Sequence, residues 1–90
     1  MQIEFDSAKQ AKTLAERGID FRDAEQVFAG PLLTQADSRF DYGEERCITF
    51  GMLGADWVMV VWTPRGAARR IISMRYANER EIASFAHRVG

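Results

Sequence analysis

The sequence is poor in cysteine and has no long apolar run. Its 90 residues include one cysteine, Cys47, so an internal disulfide is excluded and a reducing compartment is expected. The longest apolar run, Trp57–Trp62, is far shorter than the roughly 18 residues that a membrane-spanning helix needs. Residues 1–6 also lack the basic start and apolar centre of a signal peptide. We therefore expect a cytoplasmic protein without membrane association.

Histidine is nearly absent as well. His87 is the one side chain of this type, and histidine usually performs proton transfer because its pKa lies near neutrality. At the C-terminal end of a predicted helix, His87 can instead complement the helix dipole, and we favour this structural role over a catalytic one. The sequence has no cluster of His and Cys residues. The acidic side chains between positions 37 and 45 lack the spacing of a known cation-binding loop. We expect neither a metal nor a cofactor.

Size and charge indicate one small domain with an uneven charge distribution. A chain of 90 residues with 47% apolar content has room for a single core, so we assign residues 1–90 to one domain. Residues 1–57 hold 11 acidic and 6 basic residues, whereas residues 58–90 hold 2 acidic and 6 basic ones. This asymmetry indicates either contact with a nucleic acid or charged partner, or neutralisation of one half by the other.

The first third of the chain is typical of a helical hairpin. An alternating apolar and polar start predicts a short strand, after which Asp6 or Ser7 caps a helix that ends at Gly18. Asp20 caps a second helix, and Gly30 with Pro31 ends it.

The remainder predicts four strands and a final helix. The strands are expected at Leu32–Ala36, Arg46–Leu53, Trp57–Thr63 and Arg69–Tyr76, the last three as an antiparallel meander. Asn78 and Glu81 have the spacing of a capping box and open the final helix. The order β-α-α-β-β-β-β-α predicts an α+β fold, a small antiparallel sheet with its helices on one face.

The last predicted strand carries several arginines. Strict alternation places its side chains in two sets, Arg70, Ile72 and Met74 on one face, and Arg69, Ile71, Ser73 and Arg75 on the other. The second set is more polar, so we expect it on the face that the helices leave open. At about 3.3 Å per residue, Arg69 and Arg75 would stand roughly 20 Å apart on that face.

Four groups of residues follow one another along nearly the whole chain: Phe5–Asp6 with Lys9 and Leu14; Gly18–Phe21 with Ala24, Val27, Phe28 and Pro31; Gly43–Arg46 with Gly51; and Arg70–Arg75 with Ala77 and Glu81. In this order they resemble the motifs of the BrnT toxin family, the toxin half of bacterial type II toxin–antitoxin pairs. One departure concerns Glu16–Arg17, where the family commonly has Lys-His. A guanidinium cannot replace histidine in proton transfer, since it stays protonated.

The resemblance implies a fold like that of the RelE-type ribonuclease toxins and ribonuclease activity. It also implies inhibition by a BrnA-like antitoxin with a ribbon-helix-helix DNA-binding domain, with a homodimer possible inside the toxin–antitoxin complex. We therefore predict a metal-independent endoribonuclease.

Candidate site residues follow from the chemistry of RNA cleavage, which needs proton transfer and stabilisation of a phosphorane. Prepositioned arginines can supply the second, and a carboxylate whose pKa is raised by burial can supply the first. The catalytic candidates are Glu45, Arg46, Arg75 and Glu81, and the RNA-binding candidates are Arg69, Arg70, Ser73, Tyr76 and Arg80. Each has an alternative role, as an ion pair, a partner contact or, for Glu81, a helix cap.

A second function remains open from the sequence. The arginines and the exposed apolar sheet surface could serve a non-catalytic interaction module that binds a partner within a DNA-binding repressor complex. The departure at Glu16–Arg17 favours this alternative.

Overall fold

The computed structural model describes residues 2–89 as a five-stranded sheet with three α-helices. The strands are β1 (Gln2–Phe5), β2 (Leu32–Ala36), β3 (Cys47–Leu53), β4 (Asp56–Arg65) and β5 (Ala68–Tyr76). The helices are α1 (Ser7–Arg17), α2 (Ala24–Ala29) and α3 (Glu79–Phe85), with 3-10 turns at Phe21–Asp23 and Ala86–Arg88. The predicted α+β class and element order are confirmed. Among the described residues, no helix is long and apolar enough to cross a membrane.

The helical hairpin forms where its capping residues predict it. The Asp6 carboxylate accepts hydrogen bonds from Ala8 N and Lys9 N at 2.8 and 3.2 Å, so Asp6 rather than Ser7 begins α1. Gly18 ends α1 in the left-handed region, at φ 70°, which glycine adopts without a steric penalty. Asp20 accepts from Arg22 N at 2.9 Å and begins a 3-10 turn that runs into α2.

The sheet has the strand order β1-β5-β4-β3-β2. Strands β3, β4 and β5 form the predicted antiparallel meander, and β2 also pairs antiparallel with β3. The short first strand lies parallel to β5 at one edge. Between β1 and β2 the chain runs through α1, the 3-10 turn at Phe21–Asp23 and α2.

A β-bulge in β5 changes which side chains share a face. The pairing register shifts between Val61, opposite Ser73, and Trp62, opposite Ile71, so Ile72 is the extra residue. Ile71 and Met74 are therefore both in the same buried core, at 1% and 0% exposure, although they are three residues apart. The strict alternation expected for β5 is wrong on the N-terminal side of Ile72.

The two faces of the sheet differ in what covers them. The hairpin covers one, here called the helix-covered face, whose core includes Ile19, Phe21, Val27, Val58, Val60 and Trp62. On the opposite face, here called the open face, Phe50 and Met59 are buried and paired across β3 and β4. Helix α3 packs at one end of this open face, where Phe85 lies 5.7 Å from Phe50 between ring centroids. The expectation that all helices lie on one face is therefore wrong. After Asn78 the chain turns, and α3 lies on the open face.

Candidate functional site

Three arginines from separate parts of the chain meet on the open face. Arg17 ends α1, Arg39 follows β2, and Arg75 lies in β5. Together with Ser73 they line a depression of about 240 Å³, whose floor is apolar and formed by Ile48, Met59 and Val61. An adjoining depression of about 220 Å³ shares Arg39 and Arg75 and extends to Glu81 and Phe85. Three positive charges and one serine hydroxyl therefore line the same depression.

Arg75 is held in place by a carboxylate. Its Nη1 and Nη2 atoms donate to the two Glu81 oxygens at 2.8 and 2.7 Å. The Arg75 guanidinium, together with a hydrogen bond from Asn78 N, lowers the pKa of Glu81 to about 2. Such bidentate pairs fix the plane of the guanidinium, so the direction of Arg75 is set before any ligand binds.

Arg39 has an equivalent anchor. The fully buried Asp37 side chain accepts from Arg39 Nε at 2.8 Å and from Nη2 at 2.9 Å. This guanidinium lowers the pKa of Asp37 to about 2, with further help from the Arg39 backbone and Tyr42. The Arg39 side chain is itself 61% exposed, so its charge remains accessible at the rim of the depression.

Arg17 makes a different contact. Its Nη1 donates to the carbonyl oxygen of Met74 at 2.8 Å, which ties the end of α1 to β5. Within residues 2–89, no carboxylate lies within ion-pair distance of Arg17. Of the three guanidiniums, Arg17 is therefore the one whose charge no carboxylate of the described residues offsets, and an anion such as a phosphate can offset it.

The structure brings three of the predicted site residues together: Ser73, Arg75 and Glu81. The proton-acceptor role considered for Glu81 required a raised pKa, whereas its pKa is lowered to about 2. The Asn78–Glu81 capping box is present, with Glu81 N donating to Asn78 Oδ1 at 2.8 Å. Glu81 thus has the capping role that was its structural alternative.

Arg69 and Arg70 lie on the faces opposite to those expected. The Arg69 guanidinium lies 3.9 Å from the ring centroid of Phe28 in α2 and 5.2 Å from that of Trp62, so it is on the helix-covered face. Arg70 points to the other side, near the sheet edge, with Nη1 3.8 Å from Glu4 Oε1. The bulge at Ile72 causes this exchange.

The remaining predicted site residues do not line either depression. Glu45 is exposed, and its carboxylate lies 3.9 Å from the thiol of Cys47, which belongs to the helix-covered core. Arg46 stacks on Tyr42, with its guanidinium 3.9 Å from the ring centroid. Tyr76, at the end of β5, and Arg80, in α3, are exposed. His87, for which we favoured a structural role, is exposed in the last 3-10 turn.

Arg17 and Arg39 were not predicted as site residues. Arg17 carried a weak signal, a basic residue in the last turn of a helix beside a corner glycine. No local pattern marks Arg39, because its position depends on the buried Asp37 and on the fold of the loop that follows β2. Within residues 2–89, no three His, Cys, Asp or Glu side chains are grouped closely enough to hold a metal ion.

The two halves of the chain neutralise each other little. Among the ion pairs of residues 2–89, two join the acidic half to the basic half, Arg65 with Glu44 at 3.6 Å and Arg70 with Glu4 at 3.8 Å. Both are long and partly exposed, and such pairs contribute little. Of the two explanations for the charge asymmetry, internal neutralisation is therefore the weaker.

Comparison with known proteins identifies relatives in sequence and in structure. Residues 5–81 match the family model described as ribonuclease toxin, BrnT, of type II toxin–antitoxin system. The crystal structure of the Brucella abortus ribonuclease toxin BrnT is similar, with a TM-score of 0.67 and 27% sequence identity. The match covers 88% of this chain and 99% of that one. The comparison with curated proteins gave no match.

Proposed function

Because this chain belongs to the BrnT family of ribonuclease toxins of type II toxin–antitoxin systems, we propose that it cleaves RNA on the open face of its sheet. The observation that carries this proposal is that Arg17, Arg39 and Arg75 line one depression together with Ser73. A guanidinium group binds phosphate through parallel hydrogen bonds. Three guanidinium groups can together bind one phosphodiester and the phosphates next to it in the RNA.

In this proposal the RNA 2′-hydroxyl attacks the adjacent phosphorus. The bond from that phosphorus to the 5′-oxygen of the next nucleotide then breaks, which leaves a 2′,3′-cyclic phosphate, and the departing oxygen takes a proton from water. The negative charge of the resulting phosphorane is stabilised by Arg75 and Arg17, and the Ser73 hydroxyl donates a hydrogen bond to a phosphate oxygen. Prepositioned charge of this kind is often the largest single contribution to catalysis. The cleavage therefore needs no metal ion.

Glu81 acts in this proposal as a positioning residue. Its pKa of about 2 keeps it ionised at neutral pH, and its two hydrogen bonds hold the Arg75 guanidinium toward the depression. The 2′-hydroxyl proton passes to water, which the open depression admits. A reaction without a neutral-pKa base is expected to be slow compared with histidine-dependent ribonucleases.

The test uses the purified protein without antitoxin, incubated with single-stranded RNA in the presence of a chelator. We expect cleavage in the chelator, and we expect Arg75→Gln to slow it by about 10²–10³-fold, as loss of one prepositioned donor does. Arg39→Gln should weaken RNA binding. Lys12→Gln, which removes an exposed charge on α1, should change neither the cleavage rate nor RNA binding. Intact RNA at high protein concentration would contradict the proposal.

We also propose that a ribbon-helix-helix antitoxin neutralises the protein in the cytoplasm, where RNA and a DNA-binding partner are both found, and that a homodimer forms within this complex. Co-expression with a neighbouring reading frame of that class should yield a co-purifying complex that no longer cleaves RNA. Charge reversal at Arg75 separates this proposal from the interaction module. Loss of toxicity with intact partner binding supports the enzyme, and loss of partner binding alone supports the module.

A further inference from the structure

The loop between β2 and β3, residues 37–46, is organised by its own side chains. Asp37 N donates to Arg46 O at 2.8 Å, which extends the pairing of the two strands into the loop. The buried Asp37 carboxylate then accepts from the Arg39 guanidinium, the Arg39 backbone and the Tyr42 hydroxyl. The loop therefore has a defined conformation that presents its remaining side chains in fixed directions.

Phe40 is the most exposed large apolar side chain among the described residues, at 71%. Its ring makes an edge-to-face contact with Tyr42, with centroids 5.8 Å apart. Arg46 stacks on Tyr42, with its guanidinium 3.9 Å from the centroid of the Tyr42 ring. Phenylalanine is among the residue types most often buried. Here its ring is exposed on a loop that is organised by its own side chains, so the ring is available to contact a ligand.

The surroundings of Phe40 specify the chemistry of that ligand. Arg39 precedes it in the chain and lines both open-face depressions together with Arg75. An exposed aromatic face beside guanidinium groups fits a base next to its phosphates, since unpaired bases stack on aromatic rings while arginine binds the backbone. A duplex offers no such base, because its bases already stack on one another.

We propose that Phe40 is a stacking platform for one unpaired base of the RNA, next to the phosphate held by Arg39 and Arg75. This inference rests on the proposed ribonuclease function and deepens it by naming the side chain that recognises an unpaired base. Phe40 binds substrate and takes no part in bond breaking. Its removal therefore weakens binding and raises KM without a matching loss of kcat.

The experiment measures binding of a fluorescein-labelled unstructured RNA oligonucleotide, and of a duplex of equal length, by anisotropy. Stacking contributes about 1–3 kcal/mol per base, so Phe40→Ala should weaken single-strand binding by about 5- to 150-fold. Duplex binding should change by less than about twofold. Phe40→Trp should retain single-strand affinity, whereas Phe40→Leu should not, since leucine is apolar but has no aromatic face. Leu14→Ala, at a 46% exposed position on α1, is the matched control and should bind like the wild type.

Binding and cleavage are measured separately, so that the two proposals can fail separately. If the wild type binds single strands through Phe40 but leaves RNA intact, the proposed nuclease function fails and the platform stands. Three results would overturn the stacking proposal. The first is wild-type affinity in both Phe40→Ala and Phe40→Leu. The others are equal losses of affinity for single strands and duplexes, and a wild type that binds no RNA. Unchanged RNA binding by Phe40→Ala together with escape from antitoxin neutralisation would assign Phe40 to a protein partner instead.

Discussion

Glu81 links two parts of the molecule through one carboxylate. It accepts two hydrogen bonds from Arg75 in β5, and its Oε1 also accepts from Asn78 N at 3.0 Å. The second contact belongs to the cap of α3, and the first sets the direction of a guanidinium on the open face. A single residue therefore couples the start of a helix to the geometry of the candidate site.

These two roles can be separated by Glu81→Gln. Glutamine preserves the capping box but loses the charge that holds Arg75, so we expect a fall in kcat with a loss of about 1 kcal/mol or less in the free energy of unfolding. Urea unfolding and single-turnover cleavage measure the two effects. Glu79→Gln, an exposed position in the same first turn, is the control. An unchanged kcat in Glu81→Gln would show that Arg75 needs no positioning.

At the scale of elements, α2 and β3 approach each other closely at a glycine. Gly51 in β3 lies opposite Val58 and Leu32 within the sheet, and it faces Val27 of α2. A Cβ added at Gly51 would stand 2.8 Å from Val27 Cγ1 and 3.4 Å from Pro31 O. The absence of a side chain here allows the hairpin to pack onto the sheet.

We expect Gly51→Ala to lower the free energy of unfolding by about 1–3 kcal/mol, the usual effect of overpacking in a core. Urea unfolding measures this. Gly30→Ala is the control, because a Cβ there meets only Gln26 O at 3.7 Å and φ is −102°, so it should be neutral or slightly stabilising. Val27→Ala combined with Gly51→Ala should show a favourable coupling, since it removes the clashing methyl groups. Additive losses would argue against this contact.

At the scale of the whole molecule, acidic side chains near both ends of the open face are tied to arginines. The pKa of Glu81 falls from 4.5 to about 2, and that of Asp37 falls from 3.8 to about 2. In both cases the hydrogen bonds of the neighbouring guanidinium are the main cause. Protonation of either carboxyl breaks the ion pair that orients an arginine. The stability of the fold and the geometry of the candidate site therefore depend on the ionisation of the same two carboxyls.

This predicts the acid behaviour of the protein. A folded-state pKa below the unfolded value means that the unfolded chain binds more protons, so the stabilisation is present above about pH 4.5 and is lost as pH falls toward about 2. We expect a nearly constant free energy of unfolding between pH 5 and 7, and a decline below that range, measured by urea unfolding. Asp37→Asn combined with Glu81→Gln should flatten the decline. An equally steep decline in this variant would place the responsible carboxyls elsewhere.

Much of the fold could be predicted from the sequence, because it depends on residues close together in the chain. The caps at Asp6, Asp20 and Asn78 and the end of α1 at Gly18 are satisfied by backbone groups two to four residues away. The strands have near-continuous apolar or alternating patterns, and their predicted bounds differ from the observed ones by at most two residues. Ser73, Arg75 and Glu81 were also predicted as site residues, since the motif that contains them is local.

Tertiary structure decided the rest. The bulge at Ile72 arises from pairing between β4 and β5, and it moved Arg69 to the helix-covered face. Helix α3 lies on the open face because Phe85 packs against Phe50 there. Arg17 and Arg39 joined Arg75 only through contacts with Met74 and Asp37. The sequence by itself determined the family, the elements and, to within about three residues, where each one begins, because capping and periodicity act over a few residues. Which charges meet in the depression depends on pairing and packing across tens of residues, which no local pattern encodes.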